Sequence, residues 1–322
     1  MKAAIIGCGA IASRWVRSLL ADGRIEITAL IDPDQQAAQA LADRYGLSPA
    51  LATTLPEALA QAEADVVVNL TPPELHYPVT RSALAQGLHV LTEKPLALNL
   101  PDALDLVHLA KERGLLLAVM HNRGADPDFL AFADTVRSGG HAPFAVTADT
   151  LVTLPGPGFR AGQHLPVTTD LAVHAFDQVR ALITAPPTEL TCTETATGFL
   201  AAHSAIATIT VHFADGSLFT YRGGYIVDPA LRTDANGDWR VEGRGFATRW
   251  APDPHRQRNA PEAGPPAYQR GITAMVDALH QDGLLPVPAA DNLASIALLD
   301  ASLASAANRR PVAVPEVPDA RR

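Results

Sequence analysis

The chain has 322 residues, 48% of them apolar and 18% charged, with a formal net charge of −9. This composition excludes a disordered or fibrous chain and suffices for two hydrophobic cores. An acidic balance with no basic stripe and no interleaved aromatics argues against nucleic acid as a partner. No apolar run approaches the ~20 residues of a membrane helix. The opening MKAAIIGCGA leads straight into a strand and a turn, so no signal peptide is expected. The two cysteines, Cys8 and Cys192, make no disulfide framework, and a cytoplasmic, reducing compartment is expected.

The first third alternates strand and helix. KAAII (2–6) is a short buried strand, followed by a glycine turn and a helix from Ala12 to about Ala21. EITALID (26–32) is the second strand, and the helix Gln35–Tyr45 ends at Gly46. Thr54 with Glu57 forms a capping-box pattern for a helix through Ala62. DVVVN (65–69) has almost no polar face, as in a strand covered by helices on both sides. A helix near Tyr77–Gln86 stops at Gly87, HVLTEKP (89–95) is a strand leaving into a loop, and Asn99 caps a helix over Leu100–Arg113. LLLAV (115–119) closes the series. Strands alternating with helices predict an α/β, doubly wound Rossmann domain with a parallel sheet over residues 1–120.

Beyond Met120 the pattern changes. A helix over Pro127–Arg137 precedes longer Thr- and Val-rich strands at 143–154, 188–197 and 204–213, the last turning through Ala-Asp-Gly into 217–227 as a hairpin. WRVEG and GFATRW continue in this style, a Pro-rich segment spans 251–266, and helices near Ala267–His280 and Asp291–Ala307 precede a final strand start. Residues 121–322 therefore predict an α+β domain on a mainly antiparallel sheet.

Gly7-Cys8-Gly9-Ala10-Ile11-Ala12 follows a strand and opens a helix. Gly7 permits the turn, Gly9 lets the backbone approach a pyrophosphate, and Ala12 allows close helix–strand packing, with the anion at the helix N-terminus. Asp32 ends the second strand about twenty residues later, where a carboxylate accepts from a ribose 2′-OH and repels a 2′-phosphate. With Pro33 and Asp34 next and no Arg before Arg44, NAD is favoured over NADP.

DLAVHAFD (170–177) sets Asp170 and His174 in apolar company. They read as a structural helix pair, as two ligands of a metal site, or as an acid/base couple. The metal reading lacks a third ligand other than Asp177, and no metal is expected. Alcohol oxidation removes an O–H proton as hydride leaves the carbon, and histidine, with a pKa near ~6.5, suits that task. Lys94, at the end of a parallel strand, points to the crevice where ligands of such sheets bind and can stabilise an alkoxide.

The glycine motif, NLTPPELHYPV (69–79), GLHVLTEKPLAL (87–98), HNRGADPDF (121–129) and DLAVHAFD, in that order, resemble the Gfo/Idh/MocA oxidoreductase family over nearly the whole chain. The resemblance implies a Rossmann domain followed by an open-faced sheet domain. It also implies a dehydrogenase or reductase acting with NAD(P) on a carbinol or carbonyl of a sugar, an inositol or a sugar derivative. On this basis Lys94, Asp170 and His174 are the expected catalytic residues. Gly7, Gly9, Ala10, Ile11, Asp32, Thr71, Pro72, His76, Glu93 and Lys94 are expected at the cofactor, with Asn122, Arg123, Lys94, Asp170 and His174 at the substrate. Two departures bear on substrate choice: Val167-Thr168-Thr169 stand where many members have glycines, and Ala172 where the family has the glycine of D-x-G-x-H; the tyrosine often found near Asn122 is also replaced, by Met120-His121. Arg160 reads as a solvated loop arginine in preference to a substrate contact.

The expected function is thus an NAD-dependent oxidoreductase on a small polyhydroxylated substrate, assembled as a homodimer or homotetramer. The alternatives are a glycosidase using NAD for transient oxidation and a nucleotide-sensing regulatory protein without turnover.

Overall fold

The structure, a computed structural model, describes residues 1–138, 143–153, 163–196, 205–226, 228–253, 266–280 and 289–317. It divides into two compact units, Met1–His121 with Pro266–Leu293, and Asn122–Pro265 with Ala294–Asp319.

The first unit runs β1 (Lys2–Ile6), α1 (Ala12–Asp22), β2 (Glu26–Ile31), α2 (Gln35–Tyr45), β3 (Ala50–Ala52), α3 (Leu55–Gln61), β4 (Val66–Asn69), α4 (Pro73–Ala85), β5 (His89–Thr92), α5 (Leu100–Arg113) and β6 (Leu117–Val119). Its six strands are all parallel, in the order β3-β2-β1-β4-β5-β6. This is the doubly wound Rossmann order, with the reversal between β1 and β4. Local chemistry sets the helix limits. Asp34 accepts from the N–H groups of Gln36 and Ala37, Thr54 from Glu57 and Asn99 from Asp102. Gly23, Gly46 and Gly114 end α1, α2 and α5 in the left-handed region. Strand β3 at Ala50–Ala52, paired with β2, is absent from the expected elements, and further limits differ from expectation. Helix α4 starts at Pro73 and carries Pro78 inside it, and β5 ends at Thr92, so Glu93-Lys94-Pro95 belongs to the loop beyond the strand.

The second unit is built from α6 (Pro127–Ser138), β7 (Pro143–Thr153), a π-helical turn (Val167–Ala172) continuing into α7 (Val173–Val179), β8 (Pro187–Ala196), β9 (Ala205–Phe213), β10 (Leu218–Ile226), β11 (Asp238–Gly243) and β12 (Phe246–Trp250). After α8 (Pro266–Leu279) come α9 (Ala289–Asn308), whose first residues group with the first unit, and β13 (Val312–Ala313). The sheet order is β12-β11-β7-β10-β9-β8-β13, antiparallel throughout except that β10 lies parallel to β7. Strand β9 buries Ala205, Ala207, Ile209 and Val211 and exposes Ile206, Thr208 and His212, the alternation of a sheet with one covered and one open face. Val167 and Leu171 of the π-helical turn pack on Ala205, Ala207 and Tyr225 of the covered face. The expected hairpin forms between β9 and β10, with Gly216 at φ 85°. Arg160 and most of the Pro-rich segment lie outside the described residues.

Helix α8 belongs with the first unit. Ile272, Met275, Val276 and Leu279 join Trp15, Val16, Leu19 and Met120 in one core. Gly271 permits this approach: a Cβ there would lie 2.8 Å from Met120 Sδ. A linear division at residue 120 omits this helix, because its apolar residues find their partners only across a long sequence separation.

In the second unit Trp239 is fully buried between Phe129, at 5.7 Å between ring centroids, and Phe219, stacked at 5.8 Å, and its indole N–H donates to the Asn236 carbonyl at 2.8 Å. Trp239→Ala should cost about 3–5 kcal/mol, measured as a fall in the denaturant midpoint of the second unit's transition. A loss below about 1 kcal/mol would show that this cluster does not anchor the sheet.

Candidate functional site

The glycine turn begins where β1 ends. Gly7 adopts φ +96°, and a Cβ on it would strike the Leu70 carbonyl oxygen at 2.6 Å, so the chain leaving β4 passes against the turn. A Cβ on Gly9 would meet no protein atom within 4 Å. A side chain there would project only into the space beside the α1 N-terminus, the space a pyrophosphate needs. Ala10 is exposed, and Ile11, at the start of α1, offers no side-chain cap to the helix N–H groups. Asp32 follows β2: its Oδ2 accepts from Cys8 N at 2.8 Å and its Oδ1 from Asp34 N at 2.8 Å. Each carboxylate oxygen has capacity for a further donor. These residues fit a dinucleotide.

Cys8 is buried, and burial with the neighbouring Asp32 pushes its thiol up to about 12. Burial pushes Cys192 up to about 11. Both cysteines are free, and neither thiol is a nucleophile at neutral pH.

The loop after β4 is organised by Asn69, which is fully buried. Its Nδ2 donates to the His76 carbonyl at 3.2 Å and to Thr80 Oγ1 at 3.0 Å, and its Oδ1 accepts from Thr71 Oγ1 at 2.7 Å and Thr71 N at 3.2 Å. Thr71 is half-buried and Pro72 exposed at the start of α4. His76 is 1% exposed, with Nδ1 2.5 Å from the Pro95 carbonyl oxygen and Nε2 2.8 Å from that of Thr71. Burial pushes its pKa down, against the pull of the two carbonyls. The ring lies between the Thr71 loop and the chain after Lys94, and as a neutral imidazole it donates its single N–H to one of the two carbonyls. Glu93 is similarly engaged: Oε1 accepts from the fully buried Trp15 indole at 2.8 Å and Oε2 from Lys94 N at 3.3 Å. Lys94 is half-buried just beyond β5, and its peptide bond to Pro95 is cis.

In the second unit Asp170 and His174 are 8% and 5% exposed. Asp170 lies in the π-helical turn and His174 in the first turn of α7, so the four-residue spacing spans a change of helix type. Such turns are rare and concentrate at functional sites. The Tyr225 hydroxyl donates to Asp170 Oδ2. Tyr225 stands on β10 two residues beyond Gly223, whose missing side chain makes room for the Tyr221 ring: a Cβ there would lie 2.5 Å from the Tyr221 hydroxyl oxygen. Arg123 is half-buried in the field of Tyr221, Asp170, Tyr225 and Asp234. Burial pushes its pKa down, and those four groups oppose it. Asn122 is half-buried beside it. Asn69, Trp15, Tyr221, Tyr225 and Asp234 were not found from the sequence. Asn69, directly before the Thr71 loop, was the most accessible of them, and the others act through contacts far apart in the chain. Among the described residues no group of three or more His, Cys, Asp or Glu is placed to hold a metal ion, and no helix is long and apolar enough to cross a membrane.

A doubly wound parallel sheet with this turn and acid has the features of a dinucleotide-binding domain. Residues 1–121 match the model of the oxidoreductase family with an NAD-binding Rossmann fold, Gfo/Idh/MocA. The first unit thus resembles the NAD-binding domain of the Gfo/Idh/MocA oxidoreductases. The chain is 29% identical over 191 residues to 1,5-anhydro-D-fructose reductase of Ensifer adhaerens, a match spanning 58% of this chain and 57% of that protein. It is 23% identical over 336 residues to inositol 2-dehydrogenase of Rhizobium meliloti (strain 1021), covering 96% and 98% of the two chains. Its fold resembles the crystal structure of GenD2 from gentamicin A biosynthesis in complex with NAD, with a TM-score of 0.83, 23% identity, and 98% and 97% of the chains covered.

Two outcomes follow. His76→Ala leaves a buried carbonyl without its imidazole donor and should cost about 1–3 kcal/mol, read as a lower melting temperature; an unchanged melt would refute this role. Because the thiols titrate far above neutrality, iodoacetamide at pH 8 should alkylate native Cys8 and Cys192 at least ~10²-fold more slowly than the unfolded chain. Mass spectrometry of timed samples measures this, and comparable rates would contradict it.

Proposed function

We propose that this protein transfers a hydride between NAD and a carbinol or carbonyl of a small polyhydroxylated molecule, a sugar, an inositol or a derivative of one. The observation that carries the proposal is the Asp32 carboxylate, held by two backbone N–H groups at the end of β2 beside an open glycine turn. Bound nicotinamide supplies the two-electron redox partner. The protein supplies the rest.

Gly9, Ala10 and Ile11 present backbone N–H groups and the α1 N-terminus to the pyrophosphate, Gly7, whose N–H donates to the Ile31 carbonyl at 2.9 Å, shapes the turn beneath it, and Asp32 accepts from the adenosine ribose. Thr71 and Pro72 flank the cofactor, while His76 and Glu93 hold that rim in shape through the bonds described above. Lys94 brings a positive charge to the reacting oxygen and stabilises it as the hydroxyl proton leaves. An imidazole nitrogen of His174 takes that proton in oxidation and returns it in reduction. Asp170, oriented by Tyr225, accepts from a neighbouring substrate hydroxyl. Asn122 and Arg123 add donors to further hydroxyl or acidic groups. The relatives named above, a sugar-derivative reductase and an inositol dehydrogenase, support this substrate class. We further infer a homodimer or homotetramer paired through the open face of the second sheet. Its exposed threonines and Ile206, 41% exposed, suit such burial. A reducing, cytoplasmic location suits two free thiols.

Absorbance of reduced nicotinamide across a panel of inositols, sugars and nucleotide sugars tests the activity, and no turnover with any of them, or cofactor retained through turnover, would count against it. NAD should bind at least about tenfold more tightly than NADP, since Asp32 repels a 2′-phosphate, and Asp32→Ala should narrow that gap; tighter NADP binding to the wild type would overturn the assignment. His174→Ala should lower turnover by about 10²–10⁴ while NAD affinity and the melt are retained.

A further inference from the structure

We propose that Glu194, on β8, is the positioning residue that places Asp170 and His174. Its half-buried carboxylate collects three hydrogen bonds from one short stretch of chain. Oε1 accepts from Val167 N at 2.9 Å, and Oε2 accepts from Thr168 N at 2.8 Å and Thr168 Oγ1 at 2.7 Å. Those N–H groups open the π-helical turn, where no intrahelical acceptor exists. The preceding residue is Pro166, and it offers no side-chain cap. The cap comes instead from a neighbouring strand, 26 and 27 residues further along the chain.

A carboxylate at this end of a helix is favoured by charge as well as by hydrogen bonding. Keeping it there opposes a desolvation cost, for burial pushes the pKa of Glu194 up while the Thr168 and Val167 bonds pull it down. Cys192 Sγ lies 3.6 Å from Thr168 Oγ1, His164 lies near enough to act electrostatically on the carboxylate, and Arg309 and Arg310 line the same pocket as Glu194.

The geometry passes directly to the reactive pair. Asp170 follows Thr168 by two residues in the same turn, and His174 lies in the first turn of the helix that continues it. A six-residue π-helical turn has poorer intrinsic geometry than an α-helix and needs support from outside. Polar contacts from outside the turn include Glu194 at its start and the Tyr225 hydroxyl at Asp170. Glu194 acts through backbone N–H groups and sets the position of side chains that it does not itself bond. This inference rests on the proposed function only for what Asp170 and His174 do.

The test uses the full chain with Glu194→Gln, which keeps one acceptor oxygen, and Glu194→Ala, which keeps none. Amide hydrogen exchange of residues 167–174 is followed by mass spectrometry. The titration of His174 is followed by NMR of ¹³C-labelled histidine, assigned from the signal missing in His174→Asn. Removing the cap should raise exchange in this segment by about tenfold, the effect of a lost helix cap, more in the Ala than in the Gln variant. The midpoint of His174 should move, while NAD affinity by calorimetry stays at the wild-type value. With any substrate found in the panel, kcat should fall and KM for NAD hold. Unchanged exchange in Glu194→Gln overturns the proposal. So does raised exchange with an unmoved His174 titration, which would make Glu194 a cap and nothing more. If Glu194→Ala does not fold, Glu194→Gln decides. Exchange and titration are independent of turnover, so a wild type that reduces no NAD would overturn the proposed function and leave this inference standing.

Discussion

The hydrogen bond from Cys8 N to Asp32 Oδ2 links the turn after β1 to the end of β2, and the rim of the first sheet is built outward from it. Gly7 lies against the Leu70 carbonyl, which ties β1 to the exit of β4. Asn69 at that exit folds the Thr71 loop back on itself, and His76 carries the connection to the chain beyond β5. Glu93 returns it to α1 through Trp15. The exits of four neighbouring strands are thereby bonded to one another rather than left as independent loops. A rim of this kind can present backbone N–H groups to an anion without reorganising, which lowers the entropic cost of binding.

The second unit solves a different problem. It buries carboxylates, tyrosines and an arginine against a sheet whose covered face is otherwise apolar. Such groups are tolerated only when their partners are close. Asp170 has the Tyr225 hydroxyl, Glu194 has three donors, and Arg123 sits among two tyrosines and two aspartates. The glycine at 223 belongs to the same arrangement, since the Tyr221 ring occupies the place of its side chain.

The alternation of strands and helices, the caps at Asn99 and Thr54 and the turn glycines were legible because each rests on neighbours in sequence. So were the glycine motif and Asp32. The start of α4 was missed because Pro72, Pro73 and Pro78 suggest a loop, although prolines in a first turn lose no helical bond. The π-helical turn was invisible: its α-like spacing of Asp170 and His174 conceals the wider turn, and the carboxylate supporting it lies on β8. His76 and Glu93 were expected at the cofactor from their place in a motif. Their contacts with Pro95, Thr71 and Trp15 depend on which strands lie side by side, and that is a property of the sheet.

The return of α8 to the first unit has a consequence for the order of events during synthesis. The Rossmann sheet is complete in sequence at β6, yet Ile272, Met275, Val276 and Leu279, which cover Trp15, Leu19 and Met120, come only after the whole run of strands β7–β12 has been translated. A nascent chain emerging from the ribosome holds its N-terminal nucleotide-binding module with part of its apolar surface bare until the second sheet has appeared. That interval is the one in which chaperones would find a binding surface. The discontinuity also makes the two modules inseparable by a single cut: a fragment ending after β6 exposes the side chains that α8 covers, and a fragment beginning there carries an orphaned amphipathic helix.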